Sequence, residues 1–263
     1  MIEALSYEFM QRALIASVLI GICTGLISPY LVLRRLSLLG DGLAHLAFGG
    51  IAIAFLLNTP PILTALIVTM IGSLLVRRLI EKDVYGEAAI ALILSFGVGI
   101  AIVIIGATRG FGVDLFSYLI GSILLLRWFD LGLLAILLVV LIGFVLYFQR
   151  ELFLLTLSKD LAKHKGQNVK IADYLFSILV AIVTLMSIQA VGILLVTALL
   201  VIPGLISFKL AKSFTQSLFY AIAISIGSGV FGVISSYYLD LPPSGLIVLF
   251  LLALFTIISY FKR

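Results

Sequence analysis

Asp41 and His45 stand four residues apart in the stretch Leu39-Gly40-Asp41-Gly42-Leu43-Ala44-His45. That spacing is about one helical turn, so on a helix both side chains share a face. A carboxylate beside a neutral imidazole is an oxygen–nitrogen donor set for a divalent transition metal. The residues alone leave other roles open: Asp41 as a helix cap, His45 as a hydrogen-bonded structural group, or the pair as a proton relay. Small residues follow at Gly42, Ala44, Ala47, Gly49, Gly50, Ala52 and Ala54. They allow close packing against neighbouring helices or the lining of a narrow path.

The elements that must carry this pair are membrane helices. The 263-residue chain is 63% hydrophobic and only 11% charged, with a mean hydropathy of +1.32. A soluble domain carries about 25% charged residues. Uncharged windows of about 18–22 residues match the roughly 20 a helix needs to cross about 30 Å of hydrocarbon. The expected fold is therefore all-α and polytopic, a single membrane domain over residues 1–263. Spans are predicted near 13–33, 41–57, 61–80, 88–106, 130–148, 171–188, 190–208, 216–238 and 245–261, nine in all, or eight if 172–208 is less divided than Gln189 suggests. The run 115–126 is too short to cross and is expected to be re-entrant or interfacial. Met1 to Met10 lacks a basic leader region and a small-residue cleavage site, so the first apolar run is expected to stay as a helix.

The net charge of +5 does not point to nucleic acid, because the basic residues sit at segment ends. With the amino terminus outside, Arg34, Arg35, Arg77, Arg78, Lys82, Arg150, Lys159, Lys163, Lys165, Lys170, Lys209, Lys212, Lys262 and Arg263 all fall inside. Only Arg12, Arg109 and Arg127 remain outside, which satisfies the positive-inside rule. Asn58-Thr59-Pro60-Pro61 and Asp240-Leu241-Pro242-Pro243 are then outer turns, and Tyr237 and Tyr238 suit an interfacial aromatic belt. From Arg35 at the inner headgroups, Asp41 lies about 9 Å and His45 about 15 Å along a helix axis. An ionised group at such depth costs about 2.5–3.5 kcal/mol, so both must face protein or a cavity. The single cysteine, Cys23, excludes an intrachain disulfide. Gln189 and Asp114 sit near outer boundaries, where each could line an entrance or simply cap a helix.

The longest polar stretch, near 149–170, lies inside. Within it, Leu157 to Gly166 is predicted as a short amphipathic helix that Gly166 stops. The small Ala162 and the terminal Gly166 would let a partner's groove grip it, yet on residues alone a solvated, lysine-rich connector is preferred. No nucleotide-binding P-loop is present, so any use of ATP falls to another chain.

Five ordered blocks carry a resemblance across nearly the whole chain: LRRLSLLGDGLAHLAFGGIAIAF from Leu33, DLFSYLIGSIL from Asp114, SKDLAKHKG from Ser158, QAVGILLVTALLVIPG from Gln189 and YYLDLPPSGLIVL from Tyr237. In this order they resemble the permease subunit of the zinc, manganese and iron ABC importers. The resemblance implies a non-enzymatic permease in the plasma membrane that acts as a homodimer. It also implies cytoplasmic ATP-binding subunits as partners and an extracytoplasmic protein that delivers the metal. No permanent cofactor is implied; the metal is cargo, as Zn²⁺, Mn²⁺ or Fe²⁺. The resemblance places Asp41 and His45 on the metal path and Asp160, Ala162 and Gly166 in the ATPase-coupling segment, which reverses the preference for a solvated connector. The rival expectations are a stand-alone secondary transporter or channel, with Asp41 and His45 as relay, and an intramembrane metal hydrolase. The latter is poor in ligands, since a catalytic zinc usually has three protein ligands.

Overall fold

The structure is a computed structural model that describes residues 7–108, 126–157 and 167–262. Within them the chain forms ten helices and no strand: α1 (Glu8–Leu33), α2 (Leu39–Leu57), α3 (Pro61–Glu81), α4 (Gly86–Thr108), α5 (Trp128–Tyr147), α6 (Gln149–Leu157), α7 (Gln167–Val191), α8 (Ile193–Leu210), α9 (Phe214–Leu239) and α10 (Pro243–Phe261). Eight of them are long and apolar enough to cross a membrane. The ninth long helix, α8, has 18 residues, about 27 Å of rise. All nine expected segments are thus helical, and the polytopic all-α expectation holds.

The break that separates the seventh and eighth segments is not at Gln189, which remains inside α7, but at Gly192. Gly192 has φ 80° and ψ 166°, a backbone conformation open in practice only to glycine. It joins two helices with one residue between them. A helix that the sequence reading did not single out is α6, a short helix within the long polar stretch. Of the segment 115–126 only Leu126 is among the described residues, and Asp114 and Ser158 to Gly166 lie outside them.

Contacts sort the helix termini into two ends. At one end Trp128 Nε1 donates to Glu8 Oε1 at 2.8 Å, and Tyr7 lies beside Tyr237. This end also holds the two proline turns. Asn58 and Asp240 adopt the left-handed conformation as C-caps, and Pro60-Pro61 and Pro242-Pro243 start the next helices with proline at the first position. At the other end Tyr30 meets Phe176 and Phe214 edge-on, and Lys262 Nζ donates to the Lys209 carbonyl at 2.9 Å. Arg34, Arg77 and Asp173 come together there too. The clustering of arginines at one end agrees with the charge distribution along the sequence.

Small residues set the packing. A Cβ at Gly25 of α1 would sit 2.6 Å from the Ile222 Cα of α9, so these backbones touch. On α2, Gly49 meets Gly97 of α4, Gly42 meets Ile90 of α4, and Gly50 meets Ala65 of α3. The small stripe of α2 is therefore used for helix packing on two sides. In α8, Pro203 lies inside a continuous helix, and the amide of Gly204 beside it donates to Ser28 Oγ of α1 at 2.8 Å. Ser28 Oγ also lies 3.4 Å from the Val201 carbonyl, to which it donates, so one hydroxyl links α1 to the α8 backbone on both sides of the proline.

Candidate functional site

Asp41 lies in the first turn of α2 and His45 one turn later. With α3 and α4 packed on two flanks of α2, the remaining face carries this pair. His45 Nε2 is 3.7 Å from Asp41 Oδ1, and the two side chains are 32% and 30% exposed on a helix otherwise mostly buried. Thr197 of α8 donates its hydroxyl to the same Asp41 oxygen at 3.4 Å. The N-cap of α2 is Leu38 and receives no side-chain cap bond, so Asp41 is not the cap of this helix. Its partners are a histidine and a threonine, which set a carboxylate oxygen beside an imidazole nitrogen.

Among the described residues no group of three or more His, Cys, Asp or Glu side chains could hold a metal ion. One chain thus offers an incomplete donor set on a partly open face. Completion requires water or a second set of donors from elsewhere. Thr197 escaped the sequence reasoning, because a threonine in an apolar helix gives no signal until its neighbour is known. Gln189 lies in the last turn of α7, its Nε2 buried and without a hydrogen-bond partner among the described residues. Asp160, Ala162 and Gly166, which the resemblance placed in a coupling segment, lie outside the described residues.

A second polar cluster, at the arginine end, was not anticipated. Asp173, in the second turn of α7, pairs through one carboxylate oxygen with Arg34 at the C-cap of α1 and through the other with Arg77 of α3. The side chains of Arg34, Asp173 and Arg77 are 5%, 6% and 9% exposed. Arg34 also stacks over Phe176, 5.2 Å from the ring centre. Burial lowers the Arg34 guanidinium to about 10, which leaves it charged at neutral pH. Beside this knot Tyr174 donates to Glu81 at 2.8 Å. An open recess of about 1150 Å³ adjoins the cluster, and Arg34, Arg35, Arg77, Arg78, Lys82 and Lys170 are among the residues that line it.

Nine long apolar helices among the described residues, one of them carrying a carboxylate–imidazole pair, define a polytopic all-α membrane protein. Residues 6–262 match the ABC 3 transport family, and the chain belongs to that family. It is 32% identical to the manganese transport system membrane protein MntC of Halalkalibacterium halodurans, over 99% of this chain and 89% of that one. It is also 32% identical to a probable iron transport system membrane protein of Haemophilus influenzae, covering 100% and 97% of the two chains. Among solved structures, PsaBC from Streptococcus pneumoniae in complex with Fab superposes with a TM-score of 0.84 at 25% identity, over 98% of this chain and 93% of that one.

Proposed function

We propose that this chain is the membrane permease of an ATP-driven importer of a divalent transition metal ion, with two copies forming the path. Manganese and iron are the first candidates, because relatives that match nearly the full chain are named for transport of those metals. Zinc suits the same donors chemically. The observation that carries the proposal is the Asp41–His45 pair, 3.7 Å apart and partly exposed on α2. Two-fold symmetry would bring two carboxylates and two imidazoles to one axis, enough for a tetrahedral site or for a higher coordination number with bidentate carboxylate or water. Such a set holds a bare ion while leaving it able to depart.

No covalent step is assigned to this chain; ATP hydrolysis falls to separate cytoplasmic subunits that grip the segment containing Asp160, Ala162 and Gly166. An extracytoplasmic binding protein delivers the ion at the proline-turn end, and the arginine end faces the cytoplasm. That orientation puts the amino terminus outside and the carboxyl terminus inside. The test is metal accumulation by cells that express Asp41→Ala or His45→Ala at wild-type level. Each variant is expected to abolish uptake while ATPase subunits still copurify. Near-normal uptake in both would remove the pair from the path.

A further inference from the structure

The buried knot of Arg34, Asp173 and Arg77 joins three helices that sequence places far apart, and it does so next to two turns of functional interest. On one side Asp173 follows closely on Gly166, the end of the proposed coupling segment. On the other, Arg34 begins the connection from α1 to α2. This connection is short and internally bonded: the Arg34 amide donates to the Tyr30 carbonyl, the Leu36 amide to Leu31 and the Leu39 amide to Leu36. Leu36 is buried, and Gly40 packs on Leu200 of α8. A connection so tied cannot absorb a displacement of Arg34 by slack, so the displacement passes to the first turn of α2, where Asp41 stands. Phe176, one turn beyond Asp173, lies under the same guanidinium and against Tyr30, which gives α7 a second grip on the end of α1. Arg77 extends the grip to α3, which packs directly on α2.

We infer that Asp173 is a positioning residue for transport, tying the start of α7 through Arg34 and Arg77 to the ends of α1 and α3, the helices on either side of α2 in the chain, and α2 carries the Asp41–His45 pair. The inference rests on the importer reading, because that reading makes the segment before α7 the place where the ATPase pulls. A buried carboxylate shared by two buried arginines suits this task, since parting any pair leaves an uncompensated charge away from water. The three helix ends therefore move together. Surface ion pairs, weakened by water and salt, would not enforce this.

The experiment uses the permease copurified with its own ATPase in lipid vesicles, with Cys23→Ala as background and a fluorophore on Leu38→Cys in the exposed α1–α2 turn. In the otherwise unchanged complex, ATP binding is expected to alter the fluorescence. Asp173→Asn is expected to lose that response and to lower metal taken up per ATP hydrolysed at least tenfold, with bound ATPase unchanged. Asp173→Glu, which keeps the charge, is expected to restore at least half of both. If Asp173→Asn is not recovered as folded protein, Arg34→Met/Arg77→Met/Asp173→Leu takes its place, because an apolar replacement of a buried ionic cluster is often tolerated. A normal fluorescence response and a normal uptake-to-hydrolysis ratio in whichever variant is recovered overturn the inference. A response that is present in the unchanged complex and lost in Asp173→Asn, in vesicles that take up no metal, supports the linkage and overturns the importer reading instead.

Discussion

Replacing Gly97 by alanine tests the packing that holds His45 in place. The added Cβ would lie 2.5 Å from the Leu46 Cα and 2.7 Å from the His45 carbonyl oxygen. Ordinary carbon contacts are about 3.5–4.0 Å, so the shortfall is about 1 Å. The obstructing atoms are backbone, so relief comes only from moving α4 away from α2. Overpacking of this kind costs about 1–3 kcal/mol. Gly99→Ala is the internal control: it lies two residues along the same helix, faces outward, and its Cβ would meet nothing within 4 Å. There alanine gains helix propensity of up to about 1 kcal/mol. The two variants should therefore differ by about 2–4 kcal/mol, or roughly 5–15 °C in melting midpoint for a chain of this size. The assay is thermal unfolding in detergent followed by size-exclusion chromatography. Because the clash includes the His45 carbonyl, Gly97→Ala should also weaken metal binding in the surviving folded fraction. Equal midpoints for Gly97→Ala and Gly99→Ala would refute the close approach of α2 and α4.

Thr197→Val removes the hydroxyl that bonds Asp41 and should raise the KM for metal uptake several-fold with little change in the maximal rate; Thr197→Ser should restore it, and an unchanged KM would show that the 3.4 Å contact does not orient the carboxylate. Gly192→Ala forces an L side chain into a conformation costing about 1–3 kcal/mol, and should lower both the melting midpoint and uptake; an unaffected protein would mean that α7 and α8 join differently. Single cysteines at Asn58 and Ser244 in a Cys23→Ala background should react with an impermeant thiol reagent on intact cells, and one at Lys163 should not. Labelling of Lys163 from outside would place the coupling segment on the wrong side of the membrane.

The long helices were legible because crossing a bilayer demands uninterrupted apolar length, and the Asp41–His45 pair because its two members are neighbours on one helix. The partners of that pair were not. Thr197 stands 156 residues from Asp41, and Asp173 stands 139 residues from Arg34. Neither separation leaves a local pattern. Arg34 and Arg77 were placed correctly at one end by the charge rule, but that rule treats arginines as anchors to headgroups and water, whereas these two are buried against a carboxylate. The break after α7 was sought at a polar residue, Gln189, since polarity usually ends a span. The backbone breaks instead where glycine permits a dihedral forbidden to its neighbours, and hydropathy does not report dihedrals. Helix α6 escaped because nine residues of mixed polarity carry too little periodicity to outweigh a connector.

The glycine contacts of α2 also limit how the path can open. Where Gly49 meets Gly97, backbone rests on backbone, and Gly50 meets the Ala65 Cα and the stiff, β-branched Val68 side chain, so little there can change rotamer and absorb a shift. Rotating α2 alone about its axis would drive a Cβ-bearing face into α3 or α4. The smallest unit able to swing is therefore a slab of three helices, α2 to α4, with Asp41 and His45 carried along on it. Access would then change in one coarse step, its range set by the turns at either end of the slab and not by the flexibility of the Asp41 and His45 side chains.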